Sequence, residues 1–307
     1  MLRFIAQRLV ATVPVLVGIT IVVFLVLYLM PGDPAQTLLF GTNATPEQVA
    51  QLRSQLGLDR PLITQYLDYA GKLIQGDLGR SYVSNSEVSR EIARQFGSTA
   101  RLAAAGMLVA LLIGLPTGIL AALRRGSWVD YLSSGISVLG VAIPNFWLAV
   151  LLTLVFSVKL NWLPVLGQGS VKAIIMPAIA LGWGFAAIIT RLVRTSMIEV
   201  LQQPYVTTAR AKGLTSWVVV IRHALKNAMI PVLTLLGLQV ANLLSGAVVI
   251  ESIFARQGIG ALAVRGILAK DIPLVQGVTI FVAVIYVTVN LLVDLGYALI
   301  DPRIRHG

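Results

Sequence analysis

The 307-residue chain contains no cysteine, so it can hold neither a disulfide nor a thiolate-bound metal. It has two histidines, His223 and His306, and no HExxH pair, which leaves no pattern for a zinc hydrolase and no expected metal site. No GxxxxGK(S/T) loop is present, so hydrolysis of nucleotide by this chain alone is not expected, and no catalytic residue is assigned. Charged side chains make up 12% of the sequence, where a soluble domain carries about 25%. Acidic residues are the scarcer kind, 13 against 24 Lys and Arg, and near the apolar runs only Asp294 stands out. Intramembrane carboxylates that would relay a coupling ion are therefore nearly missing. The two halves show no internal repeat, which weighs against an inverted-repeat transporter.

What fills the chain is apolar: 57% hydrophobic residues and a mean hydropathy of +0.84 mark an integral membrane protein. The net charge of +11 is no sign of nucleic acid, because the basic residues sit in short connections and are not interleaved with aromatics. Six runs reach the roughly 20 apolar residues needed to cross a bilayer: Leu9–Met30, Ala100–Leu123, Leu132–Phe156, Ala173–Leu192, Ala228–Ile250 and Gln276–Ile300. The expected fold is an all-α membrane protein with six transmembrane helices. Residues 1–30 form the N-terminal span, read as retained because no small-residue cleavage site follows. Residues 31–98 form a helical extracytoplasmic cap. Residues 99–307 form a five-helix core with a cytoplasmic loop at 197–230. Arg3, Arg8, Arg124, Arg125, Arg191, Arg194, Arg303 and Arg305 share one side of the membrane, which places both termini in the cytoplasm.

Within the cap, Thr45-Pro46-Glu47 reads as a helix start with a stop at Gly57. A second helix is expected over Pro61–Ile74 and a third, carrying Val88, Ile92 and Phe96, ahead of the second span. Gly114 and Gly118, four apart, predict close approach of a neighbouring helix. Gly182-Trp183-Gly184 reads as a packing notch or a constriction. Gln239, Asn242 and Ser245 share one face of the fifth span and Asn290 lies in the sixth. These four are candidate path-lining residues, with hydrogen bonds between helices as the alternative.

One long polar, cationic stretch interrupts the apolar pattern, from Gln203 to Pro231. Pro204 suits a first helical position and Gly213 a left-handed C-cap. Between them lie Tyr205 and the small residues Thr207, Thr208, Ala209 and Ala211, which let another surface come close to the backbone. Arg210 and Lys212 add charge. Ser216 is the expected cap of a second helix with Val218, Val219, Ile221 and Leu225 on its apolar face. The pattern reads as a docking element for a soluble partner, or else as a basic loop that only sets orientation.

The motif series from MLRFIAQRL at the start through LMPGDP at Leu29–Pro34, LGLDRP at Leu56–Pro61 and QGDLGRS at Gln75–Ser81 is ordered as in a known family. YVTTARAKG at Tyr205–Gly213, RHALKNAMIPV at Arg222–Val232 and NLLVDLGYALIDPRIR at Asn290–Arg305 continue it. The chain resembles the inner-membrane permease subunits of binding-protein-dependent ABC importers, in the dipeptide, oligopeptide and nickel branch. The resemblance implies a type I importer-like permease fold in a bacterial inner membrane and import of a short peptide, with glutathione, nickel or another small solute as alternatives. It implies a second homologous permease subunit, two cytoplasmic ATPase subunits that hold ATP and Mg, and an extracytoplasmic substrate-binding protein. It makes Tyr205–Gly213 the helix that couples to the ATPase, with Thr207, Thr208 and Ala209 where the general importer pattern has Glu-Ala-Ala. Thr207 offers no carboxylate, so Arg210 or Lys212 would supply the polar contact. Other classes are an ion-coupled secondary transporter and a membrane scaffold.

Overall fold

A computed structural model describes residues 2–28, 35–36, 39, 45–167 and 169–300, with side chains except those of 2–9, 27, 234, 238, 240–241, 245–246 and 294–300. The Leu29–Pro34 motif, Arg303, Arg305 and His306, and the side chains of Ser245 and Asp294, lie outside the described residues. Among the described residues every regular element is a helix and there is no strand.

Helix α1 spans Leu2–Tyr28. Helix α2, Pro46–Gln55, begins as expected. Thr45 Oγ1 accepts from the Gln48 amide at 3.4 Å, and the Gln48 side chain accepts from the Thr45 amide at 2.9 Å. Gly57, at φ +69°, ends it. Helix α3 runs Leu62–Ile74. Helix α4, Val88–Leu123, joins the expected amphipathic helix and second span into one rod of 36 residues, roughly 54 Å at the α-helical rise. That exceeds the roughly 30 Å of a hydrocarbon core, so part of α4 extends beyond the bilayer.

The third expected span is not one straight helix. Helices α5, Trp128–Ala142, and α6, Asn145–Leu152, meet at a 102° bend. Pro144 has no amide to donate, and it drives the preceding Ile143 out of the helical region to ψ 118°. A π-helical turn, Thr153–Lys159, continues α6. Helix α7, Val171–Leu201, starts where Ser170 accepts from the Lys172 amide. Next come α8, Pro204–Ala211, the short α9, Ser216–Val218, and a π-helical turn at Val219–Leu225. Helices α10, Lys226–Ile253, α11, Ile259–Leu268, and α12, Ile272–Ile300, complete the chain. Among the described residues four helices are long and apolar enough to cross a membrane, or five if the bent pair is one span.

The chain divides into two compact units. The first comprises residues 1–98 and 257–307. In it α1 packs along α12, and Val88, Ile92, Leu262, Leu274 and Val278 form a buried cluster. The second comprises residues 99–256 and is organised on α7, which packs against α5, α6 and α10. One end of this unit is filled by Leu102, Met176, Leu181, Leu243, Ile250 and Phe254, the other by Ala110, Ile189, Val193, Met197, Val220 and Val232. The glycines of α4 do bring helices together. A Cβ on Gly114 would sit 2.8 Å from Ile189, and one on Gly118 2.7 Å from the Thr190 carbonyl oxygen. From the other side, Gly182 meets the Gly106 carbonyl so closely that a Cβ would lie 2.3 Å from its oxygen. The Gly182-Trp183-Gly184 notch is thus a site of helix packing.

Candidate coupling surface and buried polar clamps

The cationic stretch folds as a short helix held against its own support. Pro204 occupies the first turn of α8, and Gly213 adopts φ +77° just past its end. The Leu214 amide reaches back to the Ala209 carbonyl and the Gly213 amide to that of Arg210, at 3.4 and 3.0 Å, which is the Schellman arrangement. Val206 and Ala209 turn inward and are buried with Val219. Thr207, Thr208, Arg210, Ala211, Lys212 and Gly213 face outward and are exposed. Of the three residues at the Glu-Ala-Ala places, Ala209 therefore packs on this chain and only the two threonines are presented. Tyr205 is half exposed, and its hydroxyl accepts from the Asn227 side-chain amide at 2.7 Å, which pins α8 to the start of α10.

The support differs in register from the sequence expectation. Thr215, not Ser216, holds the N-cap position, without a side-chain cap bond. Val220 and Ala224 are buried where Ile221 is exposed. The π-helical turn causes this: its wider winding carries the inward face through Val219, Val220 and Ala224 onto Ala228 and Val232. Exposed Arg222 and Lys226 extend the cationic surface of Arg210 and Lys212, and Glu199 is the one acidic residue between 199 and 230.

Of the four path candidates, the structure joins two. Gln239 is buried and its Oε1 accepts from Asn242 Nδ2 at 3.1 Å, a bond within α10. Asn290 belongs to the other unit, and its Oδ1 is buried with no hydrogen-bond partner among the described residues.

Asp294 is not the only acidic group near the spans, for three other carboxylates are buried. Asp130 accepts from Arg194 Nε at 2.5 Å, from Arg194 NH2 at 2.8 Å and from the Gly126 amide at 3.0 Å, tying α5 to α7. Glu251, fully buried at the end of α10, accepts from the Thr99 hydroxyl at 2.5 Å. The nearby Arg256 is buried too, and its NH1 donates to the Ala173 carbonyl at 3.4 Å. Burial lowers the pKa of this guanidinium, and the Glu251 carboxylate opposes that shift. In the first unit Asp271 accepts from the Ser81 hydroxyl at 2.5 Å and from the amides of Tyr82, Val83 and Leu274. Burial, and then the Asp271 carboxylate, push the Tyr82 phenol above its ordinary pKa. Composition conceals such carboxylates because their side-chain partners lie 64 to 190 residues away in sequence. Among the described residues no group of three or more His, Asp or Glu could hold a metal ion.

Apolar helices packed on a central membrane helix, with one cationic helix held outside the bundle, define a multi-pass membrane protein. The chain belongs to the family of binding-protein-dependent transport system inner membrane components. That family matches residues 114–306, and its N-terminal counterpart matches residues 1–103. Over full length the chain is 42% identical to a dipeptide transport system permease protein of Alkalihalophilus pseudofirmus and to a glutathione transport system permease protein of Escherichia coli, covering 100% of each. It is also 42% identical to a di/tripeptide transport system permease protein of Pseudomonas aeruginosa, with 100% of this chain and 99% of that protein covered. In fold it is similar to the MetNI methionine ABC transporter in inward-facing form, with a TM-score of 0.55, 18% identity, and coverage of 68% of this chain and 96% of that one. A second solved neighbour is an amino acid ABC transporter, with a TM-score of 0.53, 16% identity, and 70% and 94% coverage.

Proposed function

We propose that the chain is a transmembrane permease subunit of an ATP-driven, binding-protein-dependent importer of short peptides. It forms half of a translocation pore with a second, homologous permease subunit. The observation that carries the reading is the full-length match to dipeptide, di/tripeptide and glutathione permeases, together with a cationic helix presented outside the bundle. Glutathione is itself a peptide, so both kinds of relative point to the same substrate class.

In this reading the chain crosses the bacterial inner membrane six times, with both termini in the cytoplasm. Residues 31–98 are extracytoplasmic, and a substrate-binding protein delivers the peptide on that side. Two ATPase subunits hold ATP and Mg, and the chain itself carries no cofactor and performs no covalent step. Closure of the ATPase pair pushes on α8 through Tyr205, Thr207, Thr208, Arg210, Ala211, Lys212 and Gly213, with Ala209 and Val206 passing the push to Val219. Arg210 and Lys212 meet acceptors on the ATPase. Gln239, Asn242, Ser245 and Asn290 line the path, where their polar side chains can meet peptide bonds in passage.

The test is uptake of labelled dipeptide by cells that depend on this chain. Arg210→Glu should abolish uptake while the amount of protein in the membrane stays the same. Uptake at the wild-type rate would remove the coupling assignment. Uptake unchanged by deletion of the whole chain would remove the transport reading.

A further inference from the structure

Helix α3 has three faces. Tyr66 and Tyr69 pack on α1, their rings 5.6 and 6.0 Å from that of Phe24. Gln65, Asp68 and Lys72 form a polar edge, with Asp68 paired to Arg60 at 3.1 Å. The third face is apolar and uncovered: Ile63, Leu67 and Ile74 are 75%, 62% and 87% exposed. Their spacing of four and seven residues keeps them on one stripe beside the tyrosines, opposite the polar edge.

The depth of α3 says what covers that stripe. The Tyr66 hydroxyl shares a 3.0 Å hydrogen bond with Thr20 Oγ1. Thr20 lies within the apolar stretch Val10–Val26 of α1, which packs along α12, a helix long and apolar enough to span. At the α-helical rise, Thr20 is about 12 Å and Phe24 about 6 Å below the end of α1 at Tyr28. An amphipathic helix at an interface sits with its apolar face about 5–10 Å into the headgroup and acyl boundary. On α1 itself Ile21, Val22 and Leu25 are uncovered as well.

We propose that α3 is an interfacial helix, seated at the boundary of acyl chains and headgroups, with Ile63, Leu67 and Ile74 in lipid and its Asp68–Lys72 edge in water. This places a helix of the segment expected to be a solvated cap in the membrane surface, and the transport reading does not depend on it. Arg60 and Lys72 then stand at headgroup height.

The absence of cysteine makes the test direct. Single cysteines replace Ile63, Leu67, Ile74 and Asp68 in the full chain, which is spin-labelled and reconstituted in vesicles of phosphatidylethanolamine and phosphatidylglycerol. Collision with oxygen, enriched in lipid, is compared with collision with a water-soluble nickel chelate. Labels at 63, 67 and 74 should favour oxygen several-fold over the label at 68, which should favour the chelate. Equal chelate access at all four positions would overturn the proposal, as water would then cover the stripe. Low access of both reagents at 63, 67 and 74 would overturn it too, since protein would be the cover. Four mild, separately placed substitutions keep the reading independent of any one that disturbs folding.

Discussion

Asp130 and Arg194 meet at two points, Nε on Oδ1 and NH2 on Oδ2, and so lock α5 onto α7 across 64 residues of sequence. The Asp130 side chain is 4% exposed and that of Arg194 30%. Removing one partner leaves the other charge with little water to replace it, a loss on the order of 3 kcal/mol. Asp130→Asn and Arg194→Met should each lower the apparent melting temperature in detergent sharply. The double variant should lose less than the two single losses combined, because no charge is then left unpaired. Strict additivity of the two would show that the pair does not act as a unit.

The approach of α4 and α7 gives a prediction from backbone geometry. A Cβ at Gly182 would lie 2.3 Å from the carbonyl oxygen of Gly106, and backbone on a packed helix cannot step aside cheaply. Gly182→Ala should destabilise by about 1–3 kcal/mol, the usual range for overpacking. Gly135→Ala, in a helix where nothing lies within 4 Å, should be neutral or mildly stabilising. Thermal unfolding of the two variants side by side checks the contrast. Equal behaviour would mean that α4 and α7 do not touch there.

Much of this was legible in the sequence, for local physical reasons. The cap at Thr45, the stop at Gly57 and the Pro204 to Gly213 helix depend on neighbours within a few residues, so the pattern carries them. The Gly114 and Gly118 contact follows from the lack of side chains alone. The misses have longer reach or subtler cause. The apolar run Leu132–Phe156 reads as one span and gives no sign of the 102° bend at Pro144. The π-helical turn shifted the buried face from Ile221 to Val220 and Ala224, which a 3.6-residue period cannot anticipate. Nothing local in the sequence marks Asp130, Glu251 and Asp271, because Arg194, Thr99 and Ser81 become their neighbours only on folding.

Asp271 holds the loop at Ser81–Val83 with a hydroxyl and two amides, and also caps α12 through the Leu274 amide. It is 1% exposed, so its loss leaves those donors without water. Asp271→Ala should loosen the loop and speed proteolysis around Tyr82–Asn85, at a cost of about 1–3 kcal/mol for the unsatisfied donors. Asp271→Asn keeps one carbonyl acceptor and should fall between that variant and the wild type. Peptide mapping of limited digests in detergent reads the effect. Cleavage there at the wild-type rate in the alanine variant would release the loop from Asp271.

Gly213 separates conformation from crowding at the proposed coupling helix. Its φ of +77° is left-handed, and a side chain added there would meet nothing within 4 Å. Any penalty must therefore come from the backbone, about 1–2 kcal/mol for most residues and least for asparagine. Gly213→Val should open the Schellman turn, tilt the last residues of α8 and lower dipeptide uptake several-fold. Gly213→Asn, with its tolerance of this conformation, should retain most of it. Because α8 lies outside the buried clusters at the centre of the unit, both variants should reach the membrane in wild-type amounts. If valine and asparagine reduce uptake equally, the outward surface at 213 is what matters, through direct contact with a partner. If neither does, the turn at the end of α8 has no part in transport.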